Sequence, residues 1–144
     1  MGWIGRTTIA ATLLLVACAT PAPPTGDADQ FATYWHGPDR FTVSYRQNPA
    51  SNAAVIRDLS LLRSARVALE NGFHYFVLVD EATYGDFDAI DAAFDAGQLQ
   101  TVEPSASNRV IAFRDRPAQV HYVALFVRAS VESRYEFLRQ SESG

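Results

Sequence analysis

The side chains able to do chemistry in this chain are few, and their spacing narrows the choice. His36, His74 and His121 lie too far apart in sequence for a short zinc-binding motif, and neither His-Glu-x-x-His nor Gly-x-Ser-x-Gly occurs. His74 and His121 each fall in a segment that reads as a strand, so a sheet can bring them together. Beside Asp80 they would make a proton-transfer site, since imidazole titrates near neutral pH. Taken singly, each is more simply a hydrogen-bonded structural histidine. The single thiol, Cys18, excludes a disulfide within the chain and a Cys-based zinc site. It follows Leu15-Val16-Ala17, at the end of an apolar run.

Two charged groupings suggest ligands and are better explained without them. From Asp80 to Asp95 acidic residues recur, and hard cations favour several carboxylates. Counted from Asp86, however, the glycine position of an EF-hand loop is Asp91 and its closing glutamate position is Gly97. The pattern instead predicts a short helix capped by Asp86, with Phe87, Ile90 and Phe94 inward and Asp88, Asp91 and Asp95 towards solvent. Arg63 and Arg66 would attract an anion, but pairing of Arg66 with Glu70 four residues on is the plainer role. No metal or cofactor is expected.

The segment ahead of Cys18 carries one cation, Arg6, then an apolar run from Thr7 to Ala17. That is the layout of an export signal, and the run is about half the roughly 20 residues needed to span a bilayer. Leu-Val-Ala-Cys resembles the lipobox of bacterial lipoproteins, which implies acylation of Cys18 and cleavage before it. Residues 1–17 are accordingly read as a signal peptide. Residues 18–36 are read as lipidated cysteine and tether, since Pro21, Pro23 and Pro24 favour an extended polyproline path. Residues 37–144 are read as one globular domain. Ala19 after the cysteine, by analogy with lipoprotein sorting, points to the outer membrane facing the periplasm.

A hydrophobic share of 48% marks a chain able to build a core, which it must do without cross-links. The net charge is −4, and all 12 basic residues are arginines without a basic tract. Nucleic acid, whose phosphates demand clustered cations, is excluded as a partner on that balance.

Phe41, Val43 and Tyr45 alternate with polar residues and predict a strand. After Asn48-Pro49, with Ser51 or Asn52 as cap, Ala53 to Asn71 predicts a long helix ended by Gly72. Its buried stripe is Val55, Leu59, Leu62 and Leu69 beside Leu61, Ala65 and Ala68; Arg57, Ser60, Arg63, Ser64 and Glu70 take the other side. Phe73 to Val79, apolar on both faces, reads as a central strand. Arg109 to Phe113 and Val120 to Val127 read as strands forming an antiparallel hairpin through Asp115 to Ala118, and Glu132 to Gln140 as a short helix or strand extension. The fold expected is α+β, two-layered, with a mixed sheet of about four strands and one long helix on one face.

Gly37 to Tyr45, Leu61 to Arg66 and Gly72 to Asp80 together resemble a group of small, functionally uncharacterised Gram-negative lipoproteins. Those pair an extended aromatic segment with an Arg-Ala-Ala-Glu-like helix and a Gly-aromatic-x-x-Phe strand. The likeness covers roughly Gly37 to Asp80, and Ser64 and Arg66 depart from it. It implies an address and a fold, and no catalytic residues. The function expected is therefore that of a noncatalytic docking or structural module. Its partners would be the membrane, through the lipid anchor, and an envelope protein or the cell wall. The alternative is a periplasmic enzyme or small-ligand binder using His74, His121 and Asp80.

Overall fold

The computed structural model describes residues 30–46 and 52–142, so the segment read as an export signal, Cys18 and the Pro-rich segment lie outside the described residues. The elements in chain order are β1 (Phe31–Gly37), β2 (Arg40–Tyr45), α1 (Ala53–Glu70), β3 (Tyr75–Val79), α2 (Glu81–Tyr84), α3 (Phe87–Asp95), β4 (Ser107–Phe113), β5 (Tyr122–Val123) and α4 (Ala124–Glu142). The architecture is α+β, with one open five-stranded sheet of order β1-β2-β4-β3-β5. Every neighbouring pair is antiparallel, so the sheet is not mixed. β2 and β3 do run in the same direction, but β4 lies between them.

Strand alternation sends side chains to two faces, and both are covered over the middle of the sheet. On one face Phe41, Val43, Phe76, Leu78, Val110 and Ala112 pack with Leu62, Ala65 and Ala68 of α1 and Val127 and Val131 of α4. On the other, Val77, Val79 and Ile111 pack with Ile90 of α3 and with Leu99. Three layers replace the expected two, because β3 and β4 are too apolar to leave either face wet. β1 enlarges the folded body at its start: Phe31 is buried and pairs with Tyr45, so residues assigned from sequence to the tether belong to the sheet.

The helix α1 differs from its expected pattern on the side turned to β4 and the loop before it. Ser60 and Ser64 are fully buried, although they read as solvent-facing. A helix held between a sheet and a second helix buries more than one stripe. Serine is small enough for close approach, and its hydroxyl finds a partner locally: Ser64 Oγ donates to the Ser60 carbonyl at 2.8 Å. The start of α1 also departs from expectation, since Asn52 has φ 58° and makes no side-chain cap bond. The end conforms: Gly72 takes φ 81°, a left-handed turn that lets the Phe73 N–H reach the Ala68 carbonyl at 2.9 Å.

The expected final hairpin is absent. β5 holds only Tyr122 and Val123, pairs with Phe76 and Tyr75 of β3 instead of β4, and passes straight into α4. Ala124, Val127 and Val131 fall at helical spacing and bury against α1, and this burial outweighs the strand-like run of β-branched residues. α4 runs antiparallel to α1, joined by Arg66–Glu132 at 2.9 Å and Arg134–Asp58 at 2.7 Å.

Leu62 is 4% exposed in the middle of this packing. Leu62→Ala is expected to lower unfolding free energy by about 2–5 kcal/mol through lost burial and a cavity. Arg57→Ala, on the exposed side of α1, is expected to change it by less than about 0.5 kcal/mol. Chemical denaturation of the two variants checks both values, and equal midpoints would contradict the packing.

Candidate functional site

The histidine pair and Asp80 do not meet. His74 lies exposed just before β3, and His121 lies half-buried just before β5, so both sit at the end of the sheet where β3 begins. The Tyr75 ring touches both imidazoles, edge-on to His121 at 5.3 Å and 6.5 Å from His74. His121 is occupied at both nitrogens: Nδ1 lies 2.8 Å from the Gln119 carbonyl, and Nε2 accepts from Arg116 Nε at 3.4 Å. A carbonyl can only accept, so Nδ1 is the donor in that contact. Asp80 stands beyond the far end of β3, which at about 3.3 Å per residue is some 17 Å long. Its carboxylate caps α2, accepting from the Ala82 N–H at 3.1 Å and the Thr83 hydroxyl at 2.8 Å. The Thr83 hydroxyl, with that N–H, holds Asp80 below the usual carboxylate range. A depressed pKa means that the charged cap is present above the ordinary carboxylate range and is lost as pH falls through the lowered value.

Near Asp80 is a cleft of about 400 Å³ lined by Thr42, Asp80, Glu81, Glu103, Ser107 and Arg109 among others. Its cation is already committed. Arg109 pairs with Glu81 at 3.0 Å and donates to the Gly85 carbonyl at 2.9 Å. Its guanidinium lies 5.0 Å from the centre of the Phe87 ring, and Arg40 approaches the same ring at 5.2 Å. Arg40 in turn grips Asp91 with two hydrogen bonds, at 2.7 and 3.1 Å, and that pairing raises its already high pKa. His36 completes the surround, 5.0 Å from Phe87 and 2.8 Å from the Thr42 hydroxyl.

The acidic stretch thus fastens α2 and α3 to the sheet. Asp86 caps α3 through the Ala89 N–H, as its position predicts, and Ile90 is buried while Phe87 and Phe94 are partly so. Asp91 faces solvent as expected, and from there it pairs with Arg40 of β2. Among the described residues no group of three or more His, Cys, Asp and Glu side chains is placed to hold a metal ion. Arg66 of α1 pairs with Glu132 of α4.

Sequence reasoning missed a polar junction beneath the cleft. Asn108 is 4% exposed, and its amide donates to Ser60 Oγ at 2.6 Å while its oxygen accepts from the Ser105 N–H at 2.8 Å. Ser60 Oγ also donates to the Ser105 carbonyl at 2.6 Å. These bonds hold the loop before β4 against α1. No local pattern marks them, since the partners lie 48 residues apart.

Sequence reasoning also missed an exposed apolar tip where β5 enters α4. Val120, Val123, Leu125 and Phe126 are 75%, 37%, 57% and 71% exposed. No described helix is long and apolar enough to cross a membrane. Compared with protein-family models, curated proteins and solved structures, the chain matches none.

Two outcomes follow from the polar contacts. Asn108→Ala is expected to cost about 1–3 kcal/mol, measured by denaturant unfolding, because it strands buried partners. Millimolar calcium is expected to leave the melting temperature of metal-free protein nearly unchanged, whereas a micromolar site would add about 4 kcal/mol. A rise of many degrees, lost when Asp86, Asp88 and Asp91 become asparagine, would show a calcium site.

Proposed function

We propose that this chain is a lipoprotein of the bacterial cell envelope, held through acylated Cys18 and probing its surroundings as a noncatalytic docking or structural module. The observation that carries the docking part is the exposed tip of Val120, Val123, Leu125 and Phe126. Large apolar side chains gathered at one exposed corner mark a contact face, because water solvates them at a cost that contact removes. The reading as an enzyme or binder using His74, His121 and Asp80 loses support from geometry, since β3 separates the imidazoles from the carboxylate and Asp80 is engaged as a helix cap.

The anchor part rests on Leu15-Val16-Ala17-Cys18 and on the short apolar run before it. A diacylglyceryl cysteine supplies two chains, and at about 0.8 kcal/mol per buried methylene two chains give stable attachment. The outer membrane, facing the periplasm, is the proposed location.

Cys18→Ser is expected to abolish incorporation of a fatty-acid analogue in growing cells and to remove the protein from the outer-membrane fraction. Incorporation equal to that of the parent would overturn the lipoprotein reading, and recovery of the parent with inner membranes would overturn the location.

A further inference from the structure

The exposed tip has a charged border that suggests what covers it. Arg116 reaches His121 and Arg128 lies one turn into α4, while the first turn of α4 carries no acidic residue. Arg116 and Arg128 are the cations nearest the tip along the chain, with Asp115 beside Arg116 and with Glu70 and Glu132 lining the same surface hollow as Arg128. The four apolar side chains present on the order of 400 Å² between them, about half of what each partner buries in a standard protein interface. That area is small for a stable protein partner. It is ample for a surface that needs no matching shape and is already close by.

Such a surface is the bilayer carrying the anchor. β1 starts at Phe31, at the end of the sheet opposite the tip, and is about 23 Å long at 3.3 Å per residue. Twelve residues separate Cys18 from Phe31. In extended form they reach about 37 Å, enough to run the length of the sheet and let the tip touch down. Tethering raises the local concentration of membrane, so a weak contact becomes populated.

We infer that the tip is a membrane-docking surface, with Leu125 and Phe126 entering the boundary between headgroups and acyl chains and Arg116 and Arg128 meeting anionic lipid phosphates. This rests on the lipid-anchor reading. Docking fixes the orientation of the domain: the β5 edge faces the bilayer, and the cleft beside Asp80 and Arg109 is held away from it.

The test uses the full lipidated protein in vesicles of phosphatidylethanolamine and phosphatidylglycerol. With Cys18 acylated, Ala129→Cys beside the tip and Ser107→Cys at the other end of the sheet each offer one thiol for a fluorophore. Acyl-chain nitroxides are expected to quench the label at 129 at least threefold more than the label at 107. Phe126→Asp, checked for an unchanged melting temperature, is expected to bring the two labels level, and uncharged phosphatidylcholine vesicles or high salt to narrow the difference. Flotation with the vesicles reports the anchor separately. Protein that floats but shows equal quenching at 129 and 107 overturns the docking surface and leaves the anchor standing. Self-quenching between labels at 129 without nitroxide quenching identifies a second copy as the occupant and also overturns it. Failure to float overturns the anchor and the inference with it.

Discussion

Two strands in the middle of this sheet have to be dry on both sides, and most of the architecture answers to that requirement. Phe76, Val77, Leu78 and Val79 of β3 are each no more than 3% exposed, and Val110, Ile111 and Ala112 of β4 no more than 4%. A residue pair pointing in opposite directions cannot be buried by one helix layer. α1 and α4 therefore share one face, and α3 with the Leu99 segment closes the other. The outer strands are under no such demand, and β1 leaves Tyr34 and Trp35 at 58% and 44% exposure.

Polar groups then secure what the apolar layers bring together. α3 is a short helix with one fully buried residue, Ile90, which is too little apolar surface to fix its position alone. Arg40 and Arg109, on neighbouring strands, hold Phe87 and the carboxylates of Asp91 and Glu81. The individual ion pairs are partly exposed and each adds little, but together with the rings they set one arrangement. On the opposite face Asn108 and Ser60 do the same inside the core, where an unpaired amide would be costly.

These commitments bear on function. Charged residues that look available in the sequence are spent on structure: Asp80 and Asp86 as caps, Glu81 and Asp91 as counter-ions, and His121 as a doubly bonded ring. An exposed apolar surface remains at the corner of β5 and α4, at the opposite end of the sheet from the start of β1. A domain arranged in this way is suited to contact, and the proposed anchor restricts where that contact occurs.

What was legible in the sequence is local. The span of α1, its stop at Gly72, the Asp86 cap with Ile90 inward, and the strands β2 and β4 all follow from neighbours within about four residues, which is the range over which capping bonds and hydrophobic periodicity act. The α+β class follows from their order. Tertiary structure alone decided that β4 would enter between β2 and β3, that β5 would pair with β3, and that residues 124 to 127 would join a helix. A short run such as Val123 to Val127 suits either backbone, and the choice is made by which side chains another element can cover. The same long-range burial drew Ser60 and Ser64 inside, through contacts that no local pattern records, whereas the parting of His74 from Asp80 follows from the extended length of β3.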